Sequence, residues 1–155
     1  MAESELTAAM LGDVAAFGGL FLVAFAAATV LPLQSEALLA SLLLAGSHSP
    51  AALILVATIG NVLGSVFNWL LGRGIDRFRD HKWFPVKPAA LDRAAIRYRR
   101  YGRWSLLLSW APVIGDPLTL VAGVFREPLW SFIPIVTAAK AGRYLALSGA
   151  VLAWL

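Results

Sequence analysis

Long apolar runs separated by short polar breaks dominate this chain. Residues 14–31 are almost entirely Ala, Val, Leu, Phe and Gly, and residues 37–45 are similar. Between them stand Pro32, Gln34, Ser35 and Glu36. Proline removes a backbone donor and disfavours helix in the residue before it, so the pattern predicts a break near residues 31–34. Glu36 then falls at or next to the start of a second short helix, where the dipole favours negative charge. Residues 14–31 could cross most of a bilayer, as a full span or as the descending arm of a re-entrant hairpin, whereas residues 37–45 are too short and read as the returning arm. In lipid such a break survives only when buried in protein or lining a wet cavity. The polar, acidic residues 1–13 read as a surface helix or a loosely ordered segment.

A second stretch echoes the first. An apolar run over residues 104–110 leads into Ala111, Pro112, Val113, Ile114, Gly115, Asp116 and Pro117. Both stretches place a carboxylate four residues after a proline (Pro32 to Glu36, Pro112 to Asp116) and both close on Ala-Gly, at Ala45-Gly46 and Ala122-Gly123. Pro50 or Pro128 then introduces a further long apolar segment. Matching breaks in two halves point to a transporter site built from discontinuous helices.

Those further segments read as spanning helices. In residues 51–71, Asn61, Ser65 and Asn68 recur on one face, with Gly60 and Gly64 beside them as a small-xxx-small pair that lets another backbone approach. Two asparagines in one span suggest either interhelical bonding or a polar cavity. Residues 130–155 form the last span, and Lys140 falls roughly 16 Å from its start at 1.5 Å per residue, near mid-membrane. Thr137, Lys140 and Tyr144 follow helical spacing, with Arg143 beside Tyr144. A basic residue at that depth marks a functional site by default, the alternative being a lysine that snorkels or pairs structurally. Glu36, Asp116, Lys140 and Arg143 sum to zero charge, as expected of one buried cluster.

Composition fixes the class. Of 155 residues, 59% are hydrophobic and 14% charged, too apolar for a soluble domain. Without cysteine there is no disulfide framework or thiolate site, and two histidines make no metal cluster. Of 13 basic residues, 10 lie between Arg73 and Arg103, which assigns that segment to the cytoplasm. Within it, residues 75–88 read as a basic loop with Trp83 and Phe84 at interface depth. From Pro88 to Tyr101 the pattern is an amphipathic helix, with Arg93, Arg97 and Arg100 opposite Leu91, Ala94, Ala95, Tyr98 and Tyr101. Such a helix lies in the membrane interface, or packs on the protein with its charged face in water. Flanking spans favour lipid headgroups over nucleic acid as its partner.

Residues 31–39, the Gly-rich helix at 60–73, and residues 101–123 together resemble the DedA family, the VTT or SNARE-associated class of membrane proteins, and within it the short YqaA-like branch. The resemblance covers about residues 17–150. It implies two re-entrant hairpins facing each other across the bilayer, a place in membrane homeostasis, and transport or lipid translocation, in some members proton-dependent and in some acting on polyprenyl phosphate or phospholipid. The family's hairpin glutamate matches Glu36. Many members carry an aspartate where this chain has Ser65, and arginines where it has Ser109 and Gly115, so the phosphate-binding role of those arginines does not carry over.

The expectation is therefore an all-α integral membrane protein of one domain: half one over about residues 14–72, a cytoplasmic basic linker with an interfacial amphipathic helix over 73–103, and half two over 104–155. Each half is a re-entrant hairpin followed by a transmembrane helix, as an inverted repeat. The expected function is translocation of a lipid or amphiphilic anion across a bacterial inner membrane, with proton coupling and homo-oligomer formation left open. Glu36 and Asp116 are the transport and proton-sensitive groups. Lys140 and Arg143 are their charge partners or headgroup ligands, Asn61, Ser65, Asn68 and Tyr144 line the path, and Pro32, Pro112, Gly115 and Pro117 break the hairpins. No cofactor or metal is expected. The rival reading is a non-transporting scaffold or assembly subunit. An enzyme acting on lipid phosphate lacks a nucleophile-and-base pair.

Overall fold

The structure, a computed structural model, describes residues 2–29, 34–78, 81–82 and 86–154. Pro32 lies outside the described residues, as do Trp83 and Phe84. The described residues fold as helices: α1 Ala2–Ala27, α2 Gln34–Ala45, α3 Pro50–Arg73, a short α4 Ile75–Phe78, α5 Pro88–Tyr101, a 3-10 helix Gly102–Trp110, α6 Gly115–Val124 and α7 Leu129–Ala153. Of these, α1 and α3 are both long and apolar enough to cross a membrane. α7 is of similar length, but Lys140 and Arg143 hold down its mean hydropathy.

α3 is the centre. Pro50 opens it, where a missing N–H costs nothing, and the Gly74 N–H closes it on the carbonyls of Leu70 and Leu71. Its glycines set what can pack against it. A Cβ on Gly60 would lie 2.6 Å from the Phe21 carbonyl oxygen, and one on Gly64 2.5 Å from that of Phe25. The small-xxx-small pair thus receives the α1 backbone. Because Gly60 meets Phe21, Gly64 meets Phe25, and Asn68 reaches the Ala28 carbonyl, α1 and α3 run parallel. At the other end, Gly72 takes α6 at the Leu120 carbonyl, and Gly123 of α6 takes α3 at the Trp69 carbonyl.

These contacts fix where each broken pair opens. The α1–α2 pair has both open ends at the Pro50 end of α3: Asp13 of α1 contacts His48 at 3.1 Å, and Ala45 leads across residues 46–49 into α3. The pair made by the 3-10 helix and α6 opens at the Arg73 end, where Arg103 lies 4.0 Å from Glu127 and Trp69 Nε1 donates to the Glu127 carbonyl at 2.9 Å. α7 runs antiparallel to α3, with Phe132 beside Trp69 and Tyr144 bonded to Asn61.

Two apolar clusters result. One joins Leu20 and Ala24 of α1, Leu39 and Leu43 of α2, Leu53 and Ala57 of α3, and Tyr144. The other joins Val62 and Trp69 of α3 to Tyr98, Leu106, Leu118, Phe132 and Val136. Along α7 the second cluster stops at Val136 and the first resumes at Tyr144. Lys140 and Arg143 occupy the interval.

Residues 2–13 take the helix alternative and continue α1, because no proline separates them from the apolar run. Two local features depart from the sequence reading. The basic link contains the helical turn α4. The descending arm of the second pair is a nine-residue 3-10 helix, entered through Gly102 at φ 59°. In α5, Ala94 and Tyr98 are buried and Leu91 and Ala95 pack against the core, so α6 and the 3-10 helix cover that face. The packed alternative thus describes α5, and Tyr101, placed with the apolar face, is exposed.

Candidate functional site

Each carboxylate singled out from sequence stands just after a break in the helix path. Glu36 is in the first turn of α2 and Asp116 in the first turn of α6, where free N–H groups favour an anion. α2 and α6 both reach the middle of α7, where the two bases stand one turn apart. Arg143 forms an ion pair with Glu36, and its Nη1 donates to the Trp110 carbonyl at 2.9 Å. Lys140 Nζ lies 3.5 Å from Asp116 Oδ1. Lys140 is 2% exposed, whereas the Glu36 and Asp116 side chains keep 20% and 19% of their surface. One cluster of four charges is therefore two adjacent pairs, each joining an acid from one break to a base on the shared helix.

Around the pairs is a tract of neutral polar groups. Asn61 Nδ2 donates to the Tyr144 hydroxyl at 2.9 Å, and that hydroxyl donates to Ser35 Oγ at 3.1 Å. Ser35 precedes Glu36, so the tract ends beside the Glu36–Arg143 pair. Asn61 Oδ1 has no hydrogen-bond partner among the described residues.

The other path candidates sit differently. Ser65 is fully buried and its hydroxyl bonds back to the Asn61 carbonyl at 3.0 Å. Asn68 Nδ2 donates to the Ala28 carbonyl at 2.7 Å, satisfying backbone where α1 ends, and reaches Thr119 Oγ1 at 3.3 Å. Thr119 in turn donates to the Asp116 carbonyl at 2.8 Å. Asn61 and Tyr144 thus join the Glu36 side, and Asn68 ties α1 to α6.

Of the break residues, Pro112 lies in the turn between the 3-10 helix and α6, and Pro117 occupies the first turn of α6, where its ring is tolerated. Gly115 packs so closely that a Cβ would lie 2.3 Å from the Ser109 carbonyl oxygen. That contact explains why this chain carries no long side chain there.

One polar node escaped the sequence reading. Glu127, in the link before α7, accepts hydrogen bonds from Tyr98 of α5 at 2.5 Å and from Ser131 of α7, near Arg103. Burial and the Glu127 hydrogen bond raise the Tyr98 pKa well above its ordinary value. The only signal available was an acid in a short link between two apolar segments. Among the described residues no three His, Asp or Glu side chains come together to hold a metal.

Buried opposite charges on broken helices, within an all-helical apolar chain, define a membrane protein with a polar interior. Comparison with known proteins makes the class specific. The VTT domain matches residues 31–152. The chain is 40% identical to the inner membrane protein YqaA of Escherichia coli over 131 residues, 84% of this chain and 87% of that protein. The same figures hold for the inner membrane protein YqaA of Shigella flexneri. An uncharacterized protein of Haemophilus influenzae is 37% identical over 135 residues, 83% of this chain and 82% of its own. The chain belongs to the VTT-domain, or DedA, family, on its YqaA-like branch. No solved structure matches it.

Proposed function

We propose that this protein translocates a lipid or other amphiphilic anion across the bacterial inner membrane as a multi-pass transporter. The observation that carries the reading is the pairing of Glu36 with Arg143 and of Asp116 with Lys140, at the tips of two broken helix pairs that open at opposite ends of α3. In a bilayer these pairs are re-entrant hairpins, one from each side, and α2 and α6 both meet α7 near its middle. The packing supports an inverted repeat: α1 lies on α3 as the 3-10 helix lies on α7, and α6 lies on α3 as α2 lies on α7. Charges at such depth are costly, and where they are kept they mark a pathway by default. Partial exposure of both carboxylates fits groups that reach solvent or substrate, and uptake and release of a proton by a carboxylate beside its cationic partner offers a route to proton coupling.

Complete pairing would equally serve a static scaffold, so the test must separate the two. Purified protein is reconstituted in vesicles with fluorescent phospholipid or polyprenyl phosphate, and flipping is followed with and without a pH gradient. The expected result is protein-dependent flipping, abolished in Asp116→Asn/Lys140→Met even though that variant folds. A double variant that flips as fast as the parent, or a parent that flips nothing, would favour the scaffold.

A further inference from the structure

We infer that Arg93 and Arg97 of α5 form a recognition site for the anionic headgroup of a membrane amphiphile. Together with Ala90, Ala94, Val113, Ile114 and Pro117 they enclose a cleft of about 200 Å³ between α5 and the turn that begins α6. The two arginines are one helical turn apart, and like charges at that spacing repel. No carboxylate among the described residues pairs with either one. Arg93 Nε donates to its own helix, at the Ala89 carbonyl, and Asp92, the one acid on α5, makes no ion pair among the described residues. Two arginines that line one largely apolar hollow suit an oxyanion with hydrocarbon attached. The planar donor forks take up the oxygens, and the Val113–Ile114–Pro117 wall takes the first carbons. A free inorganic anion would gain nothing from that wall.

The site lies beside the charged pairs without being part of them, since Ile114 and Pro117 flank Gly115 and Asp116. It names a headgroup class for the proposed transport, yet its test needs neither vesicle nor gradient, so either idea can fail alone. Full-length protein in neutral detergent is titrated calorimetrically with dihexanoyl phosphatidic acid, dihexanoyl phosphatidylcholine and inorganic phosphate. Phosphatidic acid should bind at least about tenfold tighter than the other two, and Arg93→Gln/Arg97→Gln should lose that advantage. Arg99→Gln removes one positive charge from the same helix outside the cleft and should bind as the parent does. Equal binding of inorganic phosphate overturns the amphiphile in favour of a free anion. An equal loss in Arg99→Gln, or no binding at all, overturns the cleft. If the double variant does not fold, Val113→Glu, which places a negative charge at an exposed position of the wall, must abolish binding, and unchanged binding there rejects the site.

Discussion

Asp116 stands 3.5 Å from Lys140 across the middle of α7, which leaves Glu36 to Arg143 one turn further on. From sequence, Lys140 and Arg143 are partners of the two acids with no order among them. The geometry supplies the order. Asp116→Asn should strand a lysine that is almost wholly buried, at a cost of about 3–5 kcal/mol. Glu36→Gln should cost less, about 1–3 kcal/mol, because Arg143 keeps its bond to the Trp110 carbonyl and some exposure. Thermal unfolding in detergent checks this through double-variant cycles. The combinations 116/140 and 36/143 should each show coupling, and 36/140 should be close to additive. Coupling of 36/140 as strong as that of the matched pairs would contradict the assignment.

How much of this was legible follows from what each signal physically encodes. Proline followed by an acid marks a break and an N-terminal charge, so α2 and α6 were readable to within a few residues, and the four charges with them. Which acid meets which base depends on the rotation of α7 about its axis, and spacing along one chain does not carry that. Gly60 and Gly64 announced a close approach but not its partner. The 3-10 form of residues 102–110 was hidden because its hydrophobic content suits an α-helix equally well. Glu127 was passed over because a lone acid in a link has no pattern, and its partners Tyr98, Arg103 and Ser131 come from three different elements.

The glycine contacts give a second test. At Gly72 a Cβ would sit 1.9 Å from the Leu120 carbonyl oxygen, and at Gly123 2.0 Å from that of Trp69. Backbone cannot yield as a side chain does, so Gly72→Ala and Gly123→Ala should each destabilise by about 1–3 kcal/mol. Gly149, on α7 with nothing within 4 Å, should tolerate alanine or gain up to roughly 1 kcal/mol. Thermal midpoints of the three variants would settle the matter, and equal midpoints would show that α3 and α6 are not in contact.

Topology gives a third. The parallel course of α1 and α3 places Asp13 and His48 at one end and Arg73 at the other. If the basic residues around Arg73 to Arg103 face the cytoplasm, as the positive-inside rule expects, the first turns of α1 should lie outside. The protein has no natural cysteine. In intact cells, a membrane-impermeant thiol reagent should label Glu3→Cys readily and Lys82→Cys only after permeabilisation. The opposite pattern would invert the molecule, and labelling of neither would place both on the inside.

The last test concerns Tyr98. Its hydroxyl donates to Glu127, and burial together with that carboxylate disfavours the phenolate, so its folded pKa exceeds the unfolded value of about 10. The sign of the linkage follows. Below pH 10 the tyrosine is neutral in both states and its hydrogen bond contributes in full. Above pH 10 the unfolded chain loses its proton while the folded one retains it, so the contribution falls until the folded pKa is passed. Tyr98→Phe should cost about 1–3 kcal/mol near neutrality, because Glu127 loses a donor in a largely buried position. That deficit should shrink steadily as the pH rises above about 10, the variant lacking the titrating group. Unfolding midpoints of parent and variant between pH 7 and 11 measure it. A deficit that stays constant over that range would mean that Tyr98 titrates freely, and that the tie between α5 and the start of α7 is not made through this proton.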